Sequence, residues 1–334
     1  MHSGKRFGAR EFINWTRRSI YALLVLAAIP TVLYFLGWKF LSVPWQPIAI
    51  MGTAVAFIVG FKNNASYSRL WEARQIYGAI INDSRSFGYI VRDSLGVKDA
   101  GKVKEMFLRH YAWLTALRFQ LREPRVWENM GTAQFDEYAQ KYDIPERISK
   151  LDNELEKYLS ETELQYILSK KNRATQLMAN QSKKLAEAYE KGEINDFQWT
   201  QINQQLVKFT DSQGKAERIK NFPYPRNFSS ITTYLLLLFI VFVPFGMLKE
   251  FDKLGEGSIV EGWTLWFNIP FSLLVTWCFH TLDSVGEASV NPFEGSANDV
   301  PITQISRTIE IDMRDMLDET DLPPAITPKN NIVL

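Results

Sequence analysis

The chain has 334 residues, a formal net charge of +1 and 46% hydrophobic residues, a balance that argues against a nucleic-acid binder, which carries a basic face. Its single cysteine, Cys278, excludes an intrachain disulfide and a thiolate metal cluster. The histidines His2, His110 and His280 lie too far apart in sequence to suggest a zinc or catalytic site.

The apolar residues gather in four segments near the two ends, and the middle is heavily charged. Residues 1–18 predict an amphipathic start, with Phe12, Ile13 and Trp15 set among arginines, suited to an inner membrane surface. The first span is expected over residues 19–40. Pro30 falls mid-span, where a membrane helix tolerates a kink, and the segment is too long and too aromatic at its end for a cleavable signal peptide. The second span, residues 47–61, is short for a bilayer and crosses it only if the flanking polar turns continue the helix. Its Gly52, Ala54, Ala56 and Gly60 allow close helix approach, and Phe57 and Phe61, four apart, share a face with Thr53 one turn earlier. A helix over 47–64 that runs on through Lys62, Asn63 and Asn64 suits a pore wall better than an anchor.

Residues 62–228 read as a helical region. Apolar positions recur at helical spacing over 65–95 and 100–122, with further helices expected over 162–191 and 197–219. Ser160 and Glu163 form a capping-box signature. The third span is expected over 231–248. The fourth, over 263–282, is interrupted by Asn268 and Pro270 and flanked by interfacial tryptophans. Residues 284–320 predict a tail helix, with Ile305, Ile309, Met313 and Leu317 in a stripe suited to docking on a neighbouring subunit. Residues 321–334 are Pro- and Asn-rich and are expected to be disordered.

Lysines and arginines precede the first span, follow the second and precede the third, which predicts both termini and the long middle in the cytosol. Asp283, Glu287 and Glu294, after the fourth span, run against that rule. No phosphate-binding loop, dinucleotide fingerprint, zinc-protease motif or nucleophile elbow is present, so no enzyme is expected. No internal repeat of the kind common in secondary transporters is visible either.

Three segments together resemble the bestrophin family of ion channels, in a prokaryotic form: GFKNNASYSRLWEAR at 60–74, GKAERIKNFPYP at 214–225, and VNPFEGSANDVP at 290–301. The resemblance runs to about residue 317. It implies an all-α membrane protein, in which four transmembrane helices continue into a cytosolic helical bundle and a homopentamer surrounds a central pore. Carried onto this chain, the pore neck is Thr53, Phe57 and Phe61. Large apolar residues are usual at all three positions, so Thr53 is a departure. A cytosolic constriction falls at Phe197 or Gln198, and Asn63 and Asn64 are pore-adjacent polar residues that either meet ions or bind neighbouring helices. Eukaryotic members bind calcium after the Asn-Pro-Phe triplet. Here the matching positions keep only Glu294, Asn298 and Asp299, a thin donor set for an ion that takes six to eight oxygens, so no metal and no cofactor is expected.

The expected function is therefore a passive anion channel of chloride type in the bacterial inner membrane. Its partners would be the lipid bilayer, permeant monovalent ions and further copies of itself, with no nucleic acid. A monovalent cation channel is the near alternative. A membrane-anchored scaffold, with Phe57 and Phe61 buried between helices, is the alternative of another class.

Overall fold

The computed structural model describes residues 1–4, 6–95, 99–129, 132–254, 256–257 and 259–334. Helix α1 (Ala9–Phe35) takes in both the amphipathic start and the first span as one element. It ends earlier than residue 40, for a local reason. Gly37 adopts φ +104°, its N–H donates to Tyr34 O, and the Trp38 N–H donates to Leu33 O. These are the bonds of a Schellman cap, which favours glycine at this position. Helix α2 (Trp45–Leu95) is 51 residues long, so the short second span continues without a break into the polar sequence after it.

The remaining helices follow in chain order: α3 (Ala100–Arg122), α4 (Ala133–Ala139), α5 (Pro145–Ile148), α6 (Leu151–Leu155), α7 (Glu161–Leu168), α8 (Arg173–Glu190), α9 (Asp196–Asn221), α10 (Arg226–Lys253), α11 (Asn268–Glu287) and α12 (Ile302–Asp315). Among the described residues the only extended pairings are isolated bridges, His2 with Ile332 and Lys329 with Ile332. Four helical segments are long and apolar enough to cross a membrane: Ala9–Phe35, Lys39–Leu95, Arg226–Lys253 and Thr264–Glu287.

The chain divides into two units. One holds Gly4–Ser68 and Pro223–Val290, and therefore the four apolar spans. Its core packs Leu23 of α1 and Ile48, Val55 and Val59 of α2 with Leu236, Phe239, Ile240 and Val243 of α10. A buried polar network joins three of the helices. Asn268, at the start of α11, donates from Nδ2 to Thr31 Oγ1 at 2.8 Å and to Pro244 O at 3.1 Å, and Ser272 Oγ donates to Asn268 Oδ1 at 2.8 Å. Such bonds hold apolar helices together where water is absent. The fourth span starts with a 3-10 turn, Thr264–Phe267, so Pro270 lies in the first turn of α11, where its missing N–H costs nothing.

The other unit holds Met1–Ser3, Arg69–Phe222 and Asn291–Leu334. Its core is built on α3, with Trp113, Ala112 and Leu117 fully buried. The helix expected over 162–191 is two helices. The chain breaks at Ser169–Asn172 because the Asn172 side chain caps α8, accepting from Thr175 N–H at 3.0 Å. At α7 only half of the capping box forms. Ser160 accepts from Glu163 N–H, but the Glu163 carboxylate turns to Arg109, 2.7 Å from its Nε. Ile309 and Met313 of α12 are fully buried in this same core, so the tail stripe packs on its own chain. The last residues also depart from the expected disorder. Ile332, Val333 and Leu334 are buried, and Gln304 N–H donates to Leu334 O at 2.8 Å.

Candidate pore-lining face of helix α2

Between Trp45 and Ser68, α2 has two faces of different character. Ile48, Gly52, Val55, Val59, Lys62 and Ser66 recur at intervals of three and four residues and are all buried. At Gly52 an added Cβ would lie 2.7 Å from the Phe239 ring, so the small residue is what lets α10 pack this closely. The opposite face carries Thr53, Phe57 and Phe61 in line, all exposed on the protomer, the two phenylalanines at 67% and 70%. Thr53 Oγ1 donates to Ala49 O at 3.1 Å, which ties its hydroxyl back to the helix.

The helix is held in this rotation by an ion cluster that the sequence hid. Lys62 is only 2% exposed, and its Nζ lies 2.9 Å from Asp283 Oδ1 and 2.6 Å from Glu287 Oε2. These are two of the three acids that ran against the orientation rule. They follow the fourth span because they pair with the lysine that ends the second. The available signals were a lysine inside an apolar run and two acids spaced one helical turn apart. Asn63 points the same way: its Nδ2 donates to Leu282 O at 3.0 Å, and its side chain packs on Gly286. Asn64 is exposed, on the phenylalanine side of the helix.

At the start of α9, Asn195 and Gln198 form a reciprocal capping box. Gln198 Oε1 accepts from Asn195 N–H at 3.0 Å, and Asn195 Oδ1 accepts from Gln198 N–H at 2.9 Å. Gln198 is thus engaged in its own helix, whereas Phe197 is 85% exposed.

The turn after the Asn-Pro-Phe triplet is internally bonded. Glu294 accepts from Asn129 N–H and Nδ2 and from Asn291 Nδ2. Asp299 accepts from Gly295 N–H at 2.6 Å and from Ser296 Oγ, with Arg122 Nη1 at 3.3 Å. Burial and the neighbouring Asp299 push the Glu294 carboxyl up to about 8, against the pull of Asn129. Asn298 contributes its backbone N–H to Ser296 Oγ at 3.4 Å.

The scattered histidines have separate surroundings. His110 is fully buried, 2.9 Å from Ser84 Oγ and packed among Phe87, Trp113 and Phe209. His280 Nδ1 lies 3.1 Å from Ser284 Oγ on its own helix, and Cys278 is exposed on the protomer. Among the described residues no three His, Cys, Asp or Glu side chains form a group able to hold a metal ion.

Comparison with known proteins agrees with this architecture. The chain is 27% identical, over 98% of its length and 92% of the relative's, to the voltage-dependent anion channel-forming protein YneE of Escherichia coli O157:H7. It is 24% identical, over 92% of its length and 89% of the relative's, to the voltage-dependent anion channel-forming protein alr2987 of Nostoc. The crystal structure of a bacterial bestrophin homologue from Klebsiella pneumoniae superposes with a TM-score of 0.74 at 20% identity, covering 90% of this chain and 97% of that one, which shows a shared fold. A sequence model described as bacterial/fungal bestrophin protein matches residues 14–315. With that match spanning nearly its whole length, the chain belongs to the bacterial/fungal bestrophin family.

Proposed function

We propose that this chain is a passive ion channel that assembles as a homopentamer, with Thr53, Phe57 and Phe61 of each α2 forming the neck. The observation that carries the reading is the exposed aromatic line on a helix whose other face is buried and pinned by Lys62. One helix cannot enclose a hole, so a pore needs a closed ring of subunits. In that ring the Phe57 and Phe61 side chains make a dry collar, which holds ions back because removing their water is costly. The tied-back hydroxyl of Thr53 keeps the outermost ring narrow in hydrogen-bonding capacity as well as small. Phe197 supplies the second constriction in this reading, since Gln198 is engaged in its cap. A scaffold would bury Phe57 and Phe61 between helices of its own chain, and both are exposed.

The permeant ion in this reading is an anion of chloride type, in line with relatives named as voltage-dependent anion channel-forming proteins. One observation favours a monovalent cation as the second reading. Lys62 is outnumbered by Asp283 and Glu287, and Glu287 is 44% exposed, which leaves a negative surplus beside the inner end of the second span. The chain sits in the bacterial inner membrane with both termini cytosolic, and no catalytic step belongs to this function.

The test is a planar-bilayer recording of the purified protein under a KCl gradient. A reversal potential near the chloride equilibrium value supports the anion reading, and one near the potassium value replaces it with the cation reading. Phe57→Ala with Phe61→Ala should raise single-channel conductance. An unchanged current would remove the neck from these residues.

A further inference from the structure

The unit built on α3 contains a cleft of about 420 Å³, within the range of small-molecule sites. Its wall is formed by the end of α3, by α5 and α6, and by the approach to α8. Arg122, Arg147, Lys171 and Arg173 face two acids, Glu123 and Glu146, a formal surplus of two positive charges. Both acids are already engaged. Glu146 accepts from Arg118 Nη1 and from Thr303 Oγ1 at 2.6 Å, and Glu123 lies 3.2 Å from Arg125. Arg122 and Arg118 hold the Glu146 carboxyl below the usual carboxylate range despite its burial, so this acid is ionised and offsets part of the arginine charge.

The cations are less well matched. Arg122 is buried and ion-paired, its Nη1 3.3 Å from Asp299 Oδ2 and its Nε 3.7 Å from Glu146 Oε2, but its Nη2 has no acceptor. Arg173 Nε is buried and also lacks one. Among the described residues neither Lys171 nor Arg173 has an ion-pair partner. Arg173 is the first residue of α8, whose N-terminal end adds positive potential, while the C-terminal end of α3 adds a comparable negative one. The side chains therefore decide the sign. Buried donors without acceptors are rare in folded proteins and point to a missing acceptor group. Apart from Gln120, the rest of the wall is apolar, with Ala116, Phe119, Pro124 and Leu151.

We propose that this cleft is a binding site for a small organic anion, with a phosphate or carboxylate head held by Lys171, Arg173 and Arg122 and an apolar body against Phe119 and Leu151. The site is tested by binding. The full chain in detergent micelles is titrated by calorimetry with phenyl phosphate, benzoate and inorganic phosphate, with NaCl at matched ionic strength as the control. Saturable binding of phenyl phosphate or benzoate is expected, and whichever binds more tightly identifies the head group. The variant Lys171→Gln with Arg173→Gln breaks no ion pair seen in the structure, so it should fold and should weaken binding about tenfold or more, the scale of losing charge-assisted hydrogen bonds. Phe119→Ala should abolish the advantage of phenyl phosphate over inorganic phosphate. No saturable binding, binding reproduced by NaCl, or equal affinity in the double variant would each overturn the proposal.

Discussion

Replacing Lys62 by Met should unpin the pore helix. The lysine is almost wholly buried and carries two carboxylates, Asp283 at 2.9 Å and Glu287 at 2.6 Å. Removing one member of a buried ion cluster costs about 3–5 kcal/mol, because the remaining charges stay desolvated and unpaired. Here the lower end applies. Asp283 is 19% exposed and Glu287 44%, so both recover part of their hydration. A loss of about 3 kcal/mol should lower the thermal midpoint by about 5 °C or more for a unit of this size. Removing all three charges together, as Lys62→Met with Asp283→Asn and Glu287→Gln, should restore most of that loss, since a neutral cluster leaves no orphaned ion. The assay is tryptophan fluorescence against temperature in detergent micelles, for the wild type and both variants. If the single variant melts with the wild type, or the triple variant is no more stable than the single one, the cluster does not hold α2.

Four further outcomes are expected. Asn268→Leu should cost about 1–2 kcal/mol, read as a lower thermal midpoint, because Pro244 O loses its donor at 3.1 Å and Ser272 Oγ its acceptor at 2.8 Å. His110 should make the protein acid-sensitive. Burial lowers its pKa from 6.5 to about 3, so the unfolded chain takes up a proton that the folded chain refuses. Its contribution is complete above about pH 6.5 and falls by about 1.4 kcal/mol per pH unit as the pH drops toward 3. His110→Phe should flatten the decline in midpoint between about pH 6.5 and 5. Phe197→Ala should raise conductance without moving the midpoint. Gln198→Ala should leave conductance alone and cost about 0.5–1 kcal/mol of stability through its half of the capping box.

Much of this architecture is legible locally. The apolar runs mark the four spans, and the spacing of Ile48, Gly52, Val55 and Val59 against Thr53, Phe57 and Phe61 marks two faces of one helix. The order of three motifs then points to the family. Features written into neighbouring residues are visible because a helix repeats every few positions. The ends of elements are less so. The break before α8 depends on one asparagine side chain, and the span that stops at Phe35 depends on the left-handed conformation of Gly37.

Pairings across long stretches of chain leave no comparable periodic trace. Nothing near Lys62 in the sequence names Asp283 as its partner, and the same acids looked like a violation of the charge rule. Ser160 and Glu163 spell a complete capping box, yet Arg109 draws the Glu163 carboxylate away, because a buried guanidinium gains more from a carboxylate than a helix end does. The stripe on α12 is the same case. Its spacing announces an apolar face, but the choice between its own core and a neighbour's belongs to packing, and Ile309 and Met313 fill space that α3 leaves in the same chain. Local periodicity is encoded in residues a turn apart. The partner of each face is chosen by geometry that exists only once the chain has folded.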